Sequence, residues 1–349
     1  MSTEADPVAQ ADTTAAAETG ILPAEHWAAQ AADDSNDRDS SLGDDDNSSS
    51  TASLSSTILD YRTINGRTFH SERGDANYWA TNDDKQNESL DINHHACTLA
   101  LDGKLFLAPL KKDIQNVLDI GTGTGIWAID FADEFPQTIV VGTDLSPIQP
   151  SWVPPNLKFE IEDCSQTWTF SEDYFDYVHM RWLVGSLADW EALAQNAFTC
   201  LKPGGWFEWY EMSAVIESDD DTVTDKTALS QWGKIFIDGG KKIGRSFTLV
   251  QDDTQRKVME KAGFVDIQYQ DVKMPIGSWP ADRKNKEMGQ FSQVVLEQDP
   301  EGYILFMTTT LGWTRPEIMV YIAALRKEVR SGKYHPYYKQ RIVWGRKPE

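Results

Sequence analysis

An apolar segment that runs directly into a glycine-rich loop says most about how this chain folds. Residues 116–120 have the composition of a short buried strand, residues 121–125 read Gly-Thr-Gly-Thr-Gly, and the apolar pattern through Glu134 predicts a helix. Glycine allows a sharp turn and a close approach of the backbone to a ligand, because no Cβ intervenes. The pattern predicts a strand, loop and helix that hold a ligand, although a tight turn without a ligand would need the same glycines.

Further strands and helices alternate after this unit. Apolar segments predict strands at 138–143, 157–161, 175–180 and 206–210. A helix N-capped by Asp189 precedes the last of them, with apolar residues spaced three and four apart. Pro203, Gly204 and Gly205 are predicted to end that helix. Such alternation predicts an α/β fold in which helices cover both faces of a parallel sheet.

The regular alternation of strands and helices ends at about residue 213. Helices are predicted at 224–242, 254–262 and 314–332, and strands at 264–271 and 341–345. Helices inserted this late would cover the carboxyl ends of the strands, where ligands of open α/β sheets bind. We therefore predict one domain over 57–349, with an N-terminal lid or cap segment at 57–112 and a partly inserted helical cap at 213–335.

Charge and composition limit the partners and the compartment. The chain has 349 residues and a net charge of 32 − 55 = −23, and residues 1–56 hold twelve of the acids with one base. Clustered Lys and Arg, which nucleic acids require, are missing, so no nucleic-acid partner is expected. Residues 1–56 are polar enough to predict a disordered acidic tail. No apolar run approaches the ~18 residues of a membrane span, so neither a membrane partner nor secretion is expected.

The cysteines indicate the compartment in which the protein is expected. The chain has three of them, Cys97, Cys164 and Cys200, which match neither a disulfide framework nor a zinc ligand set. This favours a reducing, cytoplasmic setting, with the nucleus also possible. No metal site is predicted.

Acidic residues follow the next two predicted strands. Asp144 ends the second strand, where a carboxylate can accept protons from both hydroxyls of a ribose, and Asp163 follows the third, where it can accept from an adenine amino group. Cys164 beside it offers a backbone amide. Each acid alone would be an ordinary loop residue, but the ordered series favours a nucleoside-containing ligand.

These features together resemble class I S-adenosylmethionine-dependent methyltransferases, and more closely the fungal LaeA-like methyltransferases. The resemblance covers roughly residues 58–348. Its motifs are Asn65 to Arg67, His94-His95, Gly125 to Asp130, Asp144 to Pro150, Trp168 to Phe170, Leu201 to Trp206, Pro275 to Pro280 and Val343 to Pro348.

The resemblance implies a Rossmann-like seven-stranded sheet whose last strand is inserted antiparallel, with S-adenosyl-L-methionine as cosubstrate. By position, Asp119, Gly121 and Gly123 would support its methionine part, Asp144 the ribose, and Asp163 with Cys164 the adenine. Met180 and Arg181 would lie near the sulfonium, although core packing and a structural ion pair are equal alternatives for these two.

Methyl transfer is a displacement on an activated sulfonium, so the protein contributes mostly alignment and exclusion of water. A hydroxyl acceptor can still need a base. His179 is the first candidate, His94 or His95 the second, and Glu208 or Glu211 further ones, while structural roles remain open for all of them. Adjacent histidines on a helix point about 100° apart, which disfavours a chelating pair.

Two main functions follow. The first is methylation of a small-molecule acceptor of the secondary-metabolite type, with O-methylation favoured. The alternative is a LaeA-like nuclear regulator of secondary metabolism that acts through protein partners. A nicotinamide-dependent oxidoreductase is disfavoured, because the dinucleotide fingerprint needs glycine where Ile126 stands.

Overall fold

A seven-stranded sheet organises the protein. The computed structural model describes residues 20–23, 25–28, 59–71, 75–76 and 78–349. Two short strands form a separate antiparallel pair, and the other seven form the main sheet in the order β5-β4-β3-β6-β7-β9-β8. The strands are β1 (Arg62–Ile64), β2 (Arg67–Phe69), β3 (Asn116–Ile120), β4 (Ile139–Asp144), β5 (Leu157–Ile161), β6 (Phe175–Arg181), β7 (Leu201–Glu217), β8 (Val265–Pro275) and β9 (Tyr337–Arg346).

The sheet is parallel from β5 to β7, and β9 runs antiparallel between β7 and β8. The predicted sheet with an antiparallel last strand is thus confirmed. Asp119 in β3 lies opposite Gly142 in β4 and His179 in β6. All five parallel strands point their carboxyl ends to one edge, where the glycine loop begins.

Eight helices longer than two turns occur in the described part of the chain. They are α1 (Asp84–Ala100), α2 (Ile126–Glu134), α3 (Trp190–Cys200), α4 (Ala228–Ile243), α5 (Thr254–Ala262), α6 (Arg283–Gln298), α7 (Pro300–Thr310) and α8 (Arg315–Arg330).

Three of these helices, α1, α6 and α7, have no counterpart among the predicted ones. The buried residues of α1 include Gln86, Ser89, Asn93 and His94, so burial there does not follow hydrophobicity. The predicted end of α3 at residues 203–205 was wrong by a few residues. This helix ends at Cys200, and Leu201 to Gly205 form the irregular start of β7, where the pairing with β6 shifts register.

Helices α4, α7 and α8 pack against one another, α4 packs on β7, and α6 packs on β8 and on α1. We call α4, α6, α7 and α8 the cap. Thr314 and Glu317 form a capping box at the start of α8. None of the helices in the described residues is long and apolar enough to cross a membrane.

Part of the segment predicted to be disordered packs on this cap. Trp27 is fully buried and meets the ring of Tyr321 edge to face, with centroids 5.6 Å apart. The Leu22 amide donates to Gln231 in α4 over 2.9 Å. Disorder is therefore wrong for residues 20–23 and 25–28, because a few apolar side chains within a polar segment suffice to dock it. The rest of the predicted tail lies outside the described residues.

Candidate active site

The glycine loop has a left-handed backbone at all three glycines. Gly121, Gly123 and Gly125 have φ values of +64°, +59° and +81°. A Cβ on Gly121 would come within 2.5 Å of Leu183, and one on Gly125 within 2.3 Å of Phe159, whereas one on Gly123 would meet nothing within 4 Å. The first and third glycines thus allow close packing, and the middle one keeps the loop open.

Asp144 fixes the loop from the neighbouring strand. One carboxylate oxygen accepts from the Gly123 amide over 2.8 Å, and the other accepts from the Ser146 amide over 3.0 Å. Burial raises the pKa of Asp144 to about 6, although the backbone hydrogen bonds act in the opposite direction. A half-buried carboxylate with free lone pairs is suited to accept hydrogen bonds from a ligand.

A cavity of about 110 Å³, which we call the loop cavity, lies against these residues. Its floor is the glycine loop with Asp119 and Asp144, and its walls come from α1, from the residues after β5 and β6, and from Tyr78 of the lid segment. It thus occupies the carboxyl edge of the sheet, where ligands of this fold class bind.

Several buried polar atoms around the loop cavity lack a hydrogen-bond partner among the described residues. Buried polar groups in proteins are nearly always paired, so such a cluster calls for an explanation. A polar ligand in the cavity would supply the missing partners. The atoms are Asn82 Oδ1, Asn87 Oδ1, Asn93 Oδ1, His179 Nε2, Trp182 Nε1 and Ser186 Oγ.

Asp119 and His179 form a buried pair beside the loop. His179 Nδ1 lies 2.7 Å from Asp119 Oδ1, and Thr122 Oγ1 donates to Asp119 Oδ2 over 2.6 Å. Because the carboxylate can only accept, Nδ1 carries the proton and Nε2 keeps a free lone pair. Burial lowers the pKa of His179 and outweighs the opposing effect of Asp119, so the imidazole is neutral near pH 7.

Comparison with known proteins shows the family to which this chain belongs. Residues 92–269, about half of the chain, match the family described as a methyltransferase domain. The chain belongs to the methyltransferase family. Among its relatives, methyltransferase pytC from Aspergillus terreus is 36% identical over 305 residues, which are 87% of this chain and 93% of that protein.

Two further relatives place this methyltransferase among the LaeA-like proteins. Secondary metabolism regulator LAE1 from Cochliobolus heterostrophus is 32% identical, over 82% of this chain and 94% of that protein. Probable methyltransferase tdiE from Emericella nidulans is 34% identical, over 76% of this chain and 83% of that protein. The protein is therefore an S-adenosylmethionine-dependent enzyme of the fungal LaeA-like type, as its motifs indicated.

The loop cavity of the methyltransferase suits this cosubstrate. The cavity offers both acceptors and donors to a polar nucleoside, through the open Gly123, the half-buried acceptor Asp144 and the unpartnered amide, hydroxyl, imidazole and indole atoms. Arg181 is the only Lys or Arg side chain among the described residues that line the cavity.

A chain of contacts holds Arg181 in place. Its Nη2 lies 3.1 Å from His94 Nδ1, and His94 Nε2 lies 2.9 Å from Asp130 Oδ2. A guanidinium only donates, so His94 accepts at Nδ1 and donates to Asp130 from Nε2. Both ring nitrogens are engaged, so the structure does not favour His94 as a base.

The other adjacent histidine is directed elsewhere. The ring of His95 is exposed and lies edge to face on Phe291, with centroids 4.4 Å apart, and it does not line the loop cavity. The two neighbours diverge as expected for adjacent helical positions.

The predicted adenine residues are divided between the cavity and its surroundings. Cys164 lines the loop cavity, and burial raises the pKa of its thiol. Asp163 does not line it, since one of its oxygens accepts from Ser165 and the other from the Asp75 amide. Glu162 is the acid that lines the cavity after β5, and the role of Asp163 at the adenine stays a prediction.

Met180 is a core residue. It is fully buried and packs in the main apolar cluster, on the sheet face opposite His179. Strand alternation requires this, because successive side chains point to opposite faces. Its side chain does not line the loop cavity.

The two buried glutamates both bind backbone amides. Glu208 Oε2 accepts from the Leu107 and Ala108 amides, and burial raises its pKa to about 7. Glu211 accepts from the Leu183 and Val184 amides and from Trp209 Nε1, and burial raises its pKa to about 8. Neither lines the loop cavity, so both are scaffold groups.

The sequence analysis missed His70 and Ser146. His70 lines the loop cavity, and its Nδ1 lies 2.6 Å from Ser146 Oγ. Burial and the charge of Arg62 lower the pKa of His70 to about 4. This hydrogen bond links the residue after β2 to the turn after β4, and no local sequence pattern predicts it. No cluster of three or more potential metal ligands occurs in the described part of the chain.

Proposed function

We propose that the protein O-methylates a small-molecule acceptor of the secondary-metabolite type. The observation that carries the proposal is His179, a neutral imidazole with an unpartnered Nε2 in the lining of the same cavity as the glycine loop. Such a nitrogen is suited to take the proton of a hydroxyl.

The cosubstrate is oriented by three groups in this proposal. Asp144 accepts the ribose hydroxyls, the backbone at Gly121 and Gly123 lies along the methionine part, and Arg181 pairs with the methionine carboxylate. S-adenosylmethionine supplies a methyl group whose S–C bond breaks as the acceptor oxygen forms the new C–O bond, which leaves S-adenosylhomocysteine. Cys164 and the residues after β5 border the adenine.

His179 receives the acceptor proton at Nε2 while Asp119 keeps Nδ1 protonated. Asp119 also stabilises the imidazolium that results, because it already accepts from that ring over 2.7 Å. Alignment and exclusion of water supply most of the acceleration, since a sulfonium needs no further activation.

A small molecule is favoured over a macromolecule by the enclosure of the site. The loop cavity is bordered by α1, by the residues after β5 and β6, and by Tyr78 of the lid segment. The relatives named as methyltransferases, pytC and tdiE, support an enzymatic role.

The test is a comparison of metabolites from a strain that lacks this gene with those from its parent. We expect a compound to accumulate that is one methylene lighter than a parental one, and the purified protein to transfer isotope-labelled methyl from S-adenosylmethionine to its oxygen. A His179→Asn variant should bind S-adenosylhomocysteine normally but transfer slowly. Label on nitrogen or carbon, or none at all, would overturn O-methylation.

A second candidate is a regulator acting through partner proteins, because relatives such as LAE1 carry that name. An Asp144→Ala strain separates the two functions, since this variant should lose the cosubstrate. Unchanged metabolite levels in that strain would favour regulation without catalysis, whereas the deletion phenotype would favour the enzyme.

A further inference from the structure

A second cavity lies under the cap, next to the loop cavity. This cap cavity measures about 60 Å³ and is lined by residues of β7, β9, α4, α6, α7 and the lid segment. Trp79, Trp232 and Phe236 form an aromatic wall, and none of its described lining residues carries a charge. Its volume far exceeds the ~10–15 Å³ that one water needs.

The hydroxyl groups in this lining are already engaged. Ser292 Oγ donates to the Met288 carbonyl over 3.0 Å, and Tyr303 OH lies 3.0 Å from Ser89 Oγ. Ser213 Oγ accepts from Gln251 over 2.7 Å. Water in the cavity would find few free partners, so an apolar group is the better occupant.

One side chain belongs to both cavities. Trp182 lines the loop cavity and the cap cavity, and its indole N–H has no partner among the described residues. Its φ of +61° is rare for a bulky residue. Hydrogen bonds stabilise this backbone conformation. The Trp182 amide donates to the Tyr210 carbonyl over 2.9 Å, and the amides of Leu183 and Val184 donate to Glu211.

We infer that the cap cavity is the acceptor subsite and that it takes an uncharged aromatic compound bearing a hydroxyl group. The aromatic body lies against Trp79, Trp232 and Phe236, and its hydroxyl end reaches past Trp182 into the loop cavity, where the cosubstrate and His179 lie. The hydroxyl lies at Trp182, whose free N–H donates to the acceptor oxygen. A charged acceptor is excluded, because no lining residue would pair with its charge. The inference rests on the proposed function, since it names the acceptor class for that site.

The test uses 2-naphthol and its carboxylated counterpart 6-hydroxy-2-naphthoate as probes. Their binding to the full chain saturated with S-adenosylhomocysteine is measured by calorimetry and ligand-detected NMR. We expect 2-naphthol to bind at least about tenfold more tightly than the carboxylate, because burial of an unpaired charge is costly. Equal affinity of the two probes would overturn the inference.

Cavity-filling variants locate the bound probe. Ala214→Leu in β7 and Ser292→Leu in α6 add carbon atoms at the lining, and each should weaken 2-naphthol binding about tenfold or more while binding S-adenosylhomocysteine as before. Val294→Leu, on the exposed side of the same helix, is the control and should change neither affinity. Unchanged 2-naphthol affinity in both filling variants would overturn the inference.

These readouts are independent of the transferred atom. A methyl group found on nitrogen in the metabolite comparison would overturn the proposed O-methylation, whereas the probe affinities report on the cap cavity alone.

Discussion

The imidazole of His179 stacks on the indole of Trp127, with ring centroids 3.7 Å apart and planes 8° from parallel. Together with the bond to Asp119, this contact fixes the ring so that only Nε2 is available. We expect Asp119→Asn to lower the pKa of His179 further, because the carboxylate favours the charged ring. Histidine ¹⁵N titration by NMR reads this directly.

Asp130→Asn is the matched control for that titration. Asp130 bonds to His94 and raises its pKa against the effect of burial, so this variant should shift His94 and leave His179 unchanged. A proton found on Nε2 of His179 at neutral pH would contradict the assigned base.

Cosubstrate affinity should depend on pH through Asp144. Its pKa of about 6 means that the carboxylate becomes protonated as the pH falls through 6, and a protonated acid accepts ribose hydroxyls less well. We expect the affinity for S-adenosylhomocysteine to fall from pH 7.5 to pH 5, and Asp144→Asn to be weak at both. Asp163→Asn is the comparison, and a loss of affinity in this variant would support the predicted contact of Asp163 with the adenine.

Two glycines with positive φ and open surroundings allow a matched test of the loop. Gly123 and Gly66 both have positive φ, and a Cβ on either meets nothing within 4 Å. Alanine at each should cost about 1 kcal/mol of stability through backbone strain. Only Gly123→Ala places a methyl group at the loop cavity, so it alone should weaken S-adenosylhomocysteine binding. Equal affinities in calorimetry would remove Gly123 from the site.

Glu211 should make the enzyme less stable as the pH rises. Its folded pKa of about 8 lies above the ordinary 4.5, so the folded state holds a proton that the unfolded state releases. Stability contributed by this group is present below pH 4.5 and is lost up to about pH 8. We expect Glu211→Gln, followed by urea unfolding at several pH values, to flatten this slope by up to one proton, or about 1.4 kcal/mol per pH unit.

Trp27 should anchor the N-terminal segment to the cap. Replacement by alanine removes a fully buried indole from the contact with Tyr321, at a cost of up to about 3–5 kcal/mol if the segment detaches with it. A lower unfolding temperature and faster proteolysis before residue 59 are the expected readouts. The exposed Glu25 provides the control, since Glu25→Ala should leave both unchanged.

The sequence predicted the parts of this structure that local chemistry determines. The glycine loop and the succession of the five parallel strands along the chain both follow from patterns within a few residues. The Asp119–His179 pair could be proposed only in part, because it joins residues sixty positions apart through strand pairing. The fold class itself was confirmed.

Long-range contacts account for what the sequence did not predict. His70 reaches Ser146 across 76 positions, and the docking of Trp27 depends on α8, which lies at the other end of the sequence. Met180 faces the core whereas His179 faces the loop cavity, because neighbouring residues of a strand point to opposite faces of the sheet. Local patterns carry no information about such partners.

The placement of β9 sets an order of assembly during synthesis. The five parallel strands and the glycine loop are complete once Glu217 has been made, whereas β8 pairs only with β9. Residues 337–346 must therefore emerge from the ribosome before β8 can join the sheet and the far edge of β7 can be covered. The parallel part of the sheet and the glycine loop can therefore form first, and β8 and β9 complete the sheet last, after the cap helices have been made.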